Sequence, residues 1–542
     1  MDYLKIGKAT DLEGRDRFFY RLLEIFPGLF SIGTLLVLLI LSYFNPVFVA
    51  YFMIAFDVYW LLLVIYLAIY LLVSYFKLQK GKKKNWLLEC SKLSEETAKK
   101  FPNREVNQEL VLKIEKNEDQ KSTLSDAGLR WEDVLQVVVL PNATESPEIV
   151  RTCLNSLLGD GFPTSQMIVI LALEERCGEL AKEKGRLMQE EFGNRFRNFL
   201  VTYHPDGIVN ELKGKGANQA WAAKQAKALI IDPEKLESSK ILVSVFDIDT
   251  ILFPGYFYCL THKFLTVPSP YRSSYQPIPV FHNNIWGASF FSRVAASSNT
   301  FWQMMMQVRQ ESLVTYSSHS MTYRALLDIG FWSTNMVSED SRIFWNCLMY
   351  YQGEYRVEPL YHLVSMDITA DKTMQLTARS LYKQQRRWAW GVESLPYLMF
   401  NAIKNWKNIK KRPVVGHILV QIYGFHSWAT NALIIAVIGW MPMLLGGDRF
   451  NSTVLSGNLP AISSFLMNLA MIGMILSALI SLLLLPKRPK EYSAWKNVAM
   501  ILEWICVPVT IIIFGAIPCL DAQIRLMRGK YLGFWITPKI RN

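Results

Sequence analysis

Long apolar stretches lie at both ends of this chain and leave a polar middle, an arrangement that limits it to a membrane-anchored protein carrying a globular domain. Residues 29–43 and 50–76 approach or exceed the ~20 residues a spanning helix needs, and Asn45-Pro46 turns between them. Lys5, Lys8, Arg15, Arg17 and Arg21 precede the pair, Lys77, Lys80, Lys82, Lys83 and Lys84 follow it, and the turn is uncharged. The positive-inside bias therefore predicts cytoplasmic flanks on both sides. The first stretch has no small-residue cleavage site after it and reads as an anchor, not a removable signal. Stretches 416–445, 463–485 and 498–520 predict further spans. An odd count would place the basic tail (Arg525, Arg528, Lys530, Lys539, Arg541) opposite Lys487, Arg488 and Lys490, against the charge bias. Pro508 and Pro518 interrupt the last stretch, and broken or re-entrant half-helices would return the tail to the cytoplasmic side.

Composition agrees with a mixed chain. It is 51% hydrophobic with a mean hydropathy of +0.15, too apolar for a wholly soluble protein and too charged for a channel. The net charge of +12 sits beside apolar spans, where anionic headgroups explain it better than nucleic acid does. Seven scattered cysteines form no Cys-x-x-Cys pair, so they read as small hydrophobes in a reducing compartment, with no zinc or disulfide framework. Asp57, inside the second span, is either functional or a helix-packing hydrogen-bond partner. Asn451-Ser452-Thr453 matches a glycosylation acceptor in the expected outer loop, which has meaning only in a secretory pathway.

The middle alternates short buried runs with helical periods. Strands are predicted at 134–141, 167–173, 199–203 and 241–246, and helices at 148–158, 174–192 and 217–228. That alternation predicts an open, mostly parallel sheet, whose ligands bind beyond the carboxyl ends of the strands. Thr144 and Glu145, Glu174 and Glu175, and Asp247-Ile248-Asp249 converge there. Alternate residues leaving a strand point the same way, so Asp247 and Asp249 can face one site. A hard divalent cation suits them, because Mg²⁺ takes one or two protein carboxylates and keeps the rest of its shell for water and phosphate. The plain alternative is a solvated turn. Lys213-Gly214-Lys215-Gly216-Ala217-Asn218 opens a helix with lysines and backbone N–H groups fit for a diphosphate, although it lacks the Walker spacing. Ser338-Glu339-Asp340 supplies a carboxylate able to accept a hydroxyl proton. Gln384-Gln385-Arg386-Arg387-Trp388 combines an arginine fork, an amide and an indole, and could equally form an interfacial belt.

In this order, Pro141-x-x-Thr144-Glu145, the Lys213 to Asn218 element, Asp247-Ile248-Asp249, Ser338-Glu339-Asp340 and Gln384-x-x-Arg387-Trp388, the chain resembles the membrane-integrated family 2 inverting glycosyltransferases, which include cellulose, chitin and hyaluronan synthases. The resemblance spans about 134–391. It implies a GT-A-like, Rossmann-like α/β domain joined to transmembrane helices. By position, Asp247 would contact the nucleotide or its ribose, and Asp249 would join the diphosphate through Mg²⁺ or Mn²⁺. Asp340 would be the catalytic base, oriented by Glu339. Arg387 would hold the diphosphate, Gln384 and Trp388 would meet the acceptor or cap the site, and Lys213 or Lys215 would neutralise phosphate. Glu145 and Glu174 would help bind the nucleotide sugar.

The pattern departs from the family in places. Thr144 stands where asparagine is usual, and Glu174-Glu175 where aspartates commonly read the base, so the nucleotide stays open. The loop before the base, Tyr316 to Met321, lacks the usual glycines, and His319 there either contacts acceptor or phosphate or, as a lone histidine in a polar loop ordinarily does, faces solvent. The tail from Lys530 to Lys539 either lies on the membrane surface, the simpler reading, or gates the cleft as tails do in some relatives. The expected layout is a cytoplasmic segment (1–28), two spans (29–76), a connector without assigned chemistry (77–133), the transferase domain (134–375), an interfacial helix (376–412), C-terminal spans (413–521) and a cytoplasmic or interfacial tail (522–542). The resemblance implies an integral protein of the bacterial inner or plasma membrane with its catalytic domain in the cytoplasm, moving sugar from a nucleotide-diphosphate donor to a saccharide or lipid acceptor. A polyprenyl-phosphate transferase making a lipid-linked sugar, or a non-catalytic nucleotide-sugar-binding transporter or scaffold, are the alternatives.

Overall fold

Three runs with no polar face and a fourth, half-exposed one build the centre of the computed structural model, which describes residues 3–540 and so leaves Arg541 outside. β1 (Leu135–Pro141), β2 (Met167–Glu174), β3 (Asn198–His204) and β4 (Ile241–Val245) pair in parallel in the order β3-β2-β1-β4. β1, β2 and β4 are buried on both faces, as their continuous Val/Ile/Leu runs require. Four further strands extend the sheet: β5 (Ile251–Leu252), β6 (Ser273–Val280), β7 (Ser320–Thr322) and β8 (Arg356–Ser365), giving β3-β2-β1-β4-β7-β6-β8-β5. β7 lies antiparallel between β4 and β6, β6 and β8 are parallel, and β5 closes the edge antiparallel, so the sheet is mixed, though mostly parallel at the expected half. The chain leaves β1 for β2 and β3 on one side and returns to β4 on the other. The carboxyl ends of β1 and β4 therefore flank a crevice at the point of reversal.

The expected helices form with shifted bounds. Pro147–Leu158 and Lys215–Ala226 match closely, while the helix expected from 174 starts at Gly178, because Glu175–Cys177 makes a short 3₁₀ turn after β2.

Among the described residues, five helices are long and apolar enough to cross a membrane: Gly14–Phe44, Pro46–Lys82, Lys411–Leu445, Val454–Leu484 and Trp495–Met527. Local chemistry sets their starts. Asn45 Oδ1 accepts from Phe48 N and Pro46 opens the second helix, while Thr453 Oγ1 accepts from Ser456 N at the fourth. The second and fourth pack closely enough that a Cβ on Gly473 would fall 2.4 Å from Val64. Asp57 is buried between them and accepts from Ser463 Oγ at 2.6 Å, which is the helix-packing role. The first helix begins well before the apolar stretch. Its opening turns bury Tyr20 and Leu23 against Ile6, Ala9 and Phe400, and Asp16 pairs with Lys404 at 2.6 Å.

The fifth helix touches the sheet-bearing part, or helices packed on it, along its whole length. Arg293 Nε donates to Glu503 at 2.8 Å near its start, Phe514 stacks on Phe291 at 5.2 Å in the middle, and Arg386 Nη1 donates to Asp521 at 2.8 Å near its end. A 3₁₀ turn at Glu503–Cys506 and a π-turn at Ile512–Ala516 interrupt it around Pro508 and Pro518.

One buried cation fastens the N-terminal segment. Arg342 has no exposed surface, donates to Ile6 O at 2.9 Å and Glu393 O at 3.3 Å, and lies 3.9 Å from the Tyr397 ring centroid. Arg342→Met should lower stability by about 2–3 kcal/mol, since bonds from charged groups contribute on that scale, and should open residues 5–13 to protease. Thermal melting with proteolytic mapping checks this, and unchanged cleavage would contradict it.

Candidate active site

The crevice beyond β1 and β4 is organised by one ammonium group. Lys215 sits one residue after Gly214 at the start of its helix, and Gly216 lets that turn approach Ser333 and Glu339 so closely that a Cβ would fall 2.8 Å from Ser333 O. Its Nζ lies 2.6 Å from Asp247 Oδ1 and 2.7 Å from Asp340 Oδ2. Two carboxylates far apart in sequence are thereby brought to one point. Burial alone would strip the proton from Lys215, but Asp247 and Asp340 outweigh it and hold its pKa above the ordinary lysine value. The Asp247 carboxyl is correspondingly held low. Burial pushes it up, and Lys215 followed by Lys539 pulls it further down.

Asp249 occupies the deep side of the same turn, 1% exposed. Its Oδ2 accepts from Asp367 N at 2.8 Å, its carbonyl accepts from Asn283 Nδ2 at 2.8 Å, and its Oδ1 lies 2.6 Å from Lys539 Nζ. Glu339 is buried beside Asp340. Burial first, and the neighbouring Asp340 second, lift its pKa above the ordinary carboxylate range. Asp340 is placed by its own backbone, whose carbonyl accepts from Thr315 Oγ1 at 2.7 Å.

The remaining expected residues divide. Arg387 reaches the site, its guanidinium 5.4 Å from the Phe534 ring and its charge acting on Glu339. Gln384 is buried and turned inward, accepting from Thr369 Oγ1 at 2.6 Å. Trp388 packs on Phe281 at 6.4 Å. Glu145 closes its own turn after β1, accepting from Asn142 Nδ2 and Ala143 N. Glu174, at the end of β2, pairs with Arg176. Lys213 is not part of the cluster: it points to solvent and pairs with Asp206 at 2.7 Å, because Gly214 separates the two lysines and only Lys215 faces inward.

Two features escaped the sequence, and a third was only its second reading. His319 is fully buried, not solvated. Its Nδ1 faces Tyr316 O at 2.9 Å and so carries the proton, and burial lowers its pKa. Lys184, from the middle of a charged helix, is buried under the β1 loop and donates to Asn142 Oδ1 and Glu145 O, both at 2.6 Å. The tail does not lie on a surface: Phe534 covers Gly214 and Arg387, Trp535 stands 4.9 Å from Lys383 Nζ, and Lys539 reaches Asp249. The mixed aromatic and basic residues of 530–539 were the available signal.

A divalent cation is implied by the fold type. Among the described residues no cluster of three or more His, Cys, Asp or Glu side chains could hold one. Asp247 and Asp249 nevertheless fit a hard cation that takes few protein carboxylates and completes its shell with phosphate oxygens. Lysine ammonium groups against both acids mark a position where positive charge is favoured.

The model of glycosyl transferase family group 2 matches residues 242–513, half of the chain, and the chain belongs to this family of glycosyltransferases. Its domain is a GT-A-type, Rossmann-like one with a mostly parallel mixed sheet, accompanied by apolar helices of membrane-spanning length. No curated protein matches the chain. Among solved structures it is similar to a mannosyltransferase, PcManGT from Pyrobaculum calidifontis, in complex with GDP-Man and Mn²⁺, at 11% identity and a TM-score of 0.40 over 85% of this chain and 99% of that one. It is also similar to residues 1–349 of S. aureus TarS in complex with UDP-GlcNAc, at 13% identity and a TM-score of 0.33 over 64% of this chain and 90% of that one.

Glu339 gives a pH test. A carboxyl whose folded pKa is raised contributes stability that is complete below its unfolded value and is lost as pH rises through the folded value. The wild-type melting temperature should therefore fall more steeply than that of Glu339→Gln as pH rises above the ordinary glutamate range. Parallel profiles would contradict the buried, protonated Glu339.

Proposed function

We propose that the protein is an inverting glycosyltransferase that moves a sugar from a nucleoside-diphosphate donor to an acceptor hydroxyl, on a saccharide or a lipid-linked glycan, at the cytoplasmic face of a membrane. The observation that carries this reading is the single Lys215 nitrogen, 2.6 Å from Asp247 and 2.7 Å from Asp340. A donor-binding acid and a proton-accepting acid then sit about one sugar apart.

The steps follow from the charges present. Asp247 takes the ribose or nucleotide, while Lys215 and Arg387 stabilise the negative charge that grows on the departing diphosphate. Mg²⁺ or Mn²⁺ held by Asp249 and Asp247 would add Lewis-acid stabilisation of that leaving group. When diphosphate draws Lys215 toward itself, the Asp340 carboxylate is freed to accept the proton of the acceptor hydroxyl. The hydroxyl attacks from the face opposite the diphosphate, and the anomeric carbon inverts. Glu339 stays protonated beside Asp340 and so adds no second charge against the incoming nucleophile. Gln384 and Trp388 hold the wall beneath the acceptor path, and Glu145 and Glu174 shape the nucleotide end. Arg176 beside Glu174 adds hydrogen-bond donors there, and the identity of the base stays open.

The membrane arrangement is read the same way. The first four long helices cross the bilayer, and the fifth, which touches the sheet-bearing part at its start and near its end, begins and finishes on the domain's side. That returns the tail to the active site and agrees with the basic residues on that face.

Purified protein in lipid should release nucleoside diphosphate and transfer label from one nucleotide sugar. Asp340→Asn and Asp249→Asn should each lower transfer by about 10²–10⁴-fold while keeping the wild-type melting temperature within a few degrees. Wild-type turnover by Asp340→Asn would end its assignment as the base.

A further inference from the structure

A carboxylate as deeply buried as Asp249 needs a counter-charge, because an unpaired charge at that depth is strongly unfavourable. The tail supplies it. Lys539 Nζ lies 2.6 Å from Asp249 Oδ1, and the charges of Asp247 and Asp367 act on the same ammonium. The lysine is held in place by backbone. Lys539 forms a parallel bridge with Ala370, Ile540 N donates to Ala370 O at 3.2 Å, and Asn284 Nδ2 donates to Ile540 O at 3.2 Å. Upstream, Phe534 packs against Gly214, and Trp535 lies against Lys383.

We propose that Lys539 is a built-in substitute for the divalent cation, so that docking of the tail and binding of the metal exclude each other. The proposal rests on the reading of Asp249 as a metal-binding carboxylate. An ammonium and a metal ion cannot share one carboxylate oxygen at contact distance, since both demand the same lone pairs and repel each other. Metal entry therefore expels Lys539 together with the backbone bridge at Ala370. Two carboxylates alone leave a hard cation short of ligands, and the diphosphate of the donor supplies the missing oxygens. Donor and metal together displace the tail far better than metal alone. In the empty enzyme, the buried acid is compensated without recruiting metal. By linkage, whatever favours the docked tail weakens metal binding by the same factor.

The test uses the full-length protein in nanodiscs with MnCl₂ as the only added ligand. Bound Mn²⁺ is measured by the loss of the free-ion paramagnetic resonance signal, and tail release by tryptic cleavage after Arg528 and Lys530. In the wild type, Mn²⁺ should bind weakly and speed cleavage. Lys539→Met should bind Mn²⁺ about tenfold tighter or more and be cleaved rapidly with or without it. Trp535→Ala loosens the tail while keeping both the ammonium and the carboxylates, and should move both readouts the same way by less. Equal Mn²⁺ affinity in the wild type and Lys539→Met overturns the exchange and leaves the metal site standing, as does Mn²⁺ binding that never alters cleavage. Absence of Mn²⁺ binding in both proteins overturns the exchange together with the metal reading beneath it.

Discussion

The site depends on one lysine held between two acids. Without Lys215, Asp247 and Asp340 would face each other across a half-buried crevice with no counter-charge, and each would drift outward to water or take up a proton. With it, the turn after β4 and the start of the Glu339–Tyr350 helix are drawn to a common point. The glycine on either side of Lys215 makes this possible. Gly214 carries an extended backbone that only a small residue can fit beneath Phe534, and Gly216 admits the Ser333 carbonyl. Lys215 stands against Asp247 and Asp340, and Lys539 against Asp249 with Asp247 and Asp367 nearby, while burial holds the Glu339 pKa above the ordinary carboxylate range.

The apolar helices do more than anchor this domain. The first is tied on the domain's side by the Asp16–Lys404 pair at 2.6 Å, and to the end of the fifth by Arg21, which donates to Leu526 O at 2.8 Å. The fifth is pinned through Glu503 and Asp521, whose arginine partners come from helices that border the site. Arg386, which binds Asp521, is the immediate neighbour of Arg387, which meets the tail. The fifth apolar helix, the Met374–Ala389 helix and the candidate site therefore share one run of contacts, and the tail leaves the fifth helix already aimed at the crevice.

Much of this was legible in the residues. Buried runs such as Val137 to Leu140 and Ile168 to Leu173 read as interior strands, and the acids that follow them mark the carboxyl ends where ligands gather. The other half of the sheet was not legible. β6 reads Ser-Ser-Tyr-Gln-Pro-Ile-Pro-Val and β7 only Ser-Met-Thr, and their polar groups are buried because they bond to one another, as Ser244 does with Ser320 at 2.7 Å and Ser274 with Tyr355 at 2.7 Å. Periodicity cannot foresee such pairs. Nor can spacing choose between Lys213 and Lys215, since two residues apart at a glycine-rich turn can be swapped by a single backbone rotation. His319 and Lys184 look solvated in the sequence, and are buried because loops distant in the chain close over them.

The most direct measurement is the affinity of full-length protein for nucleoside diphosphate with Mn²⁺, compared by calorimetry between the wild type and Lys215→Met. If Lys215 is the group that passes from Asp340 to the diphosphate, the variant should lose about tenfold or more in affinity, as expected for a charged hydrogen bond removed from a partly buried site. Undiminished affinity in a variant that keeps its fold would contradict the account.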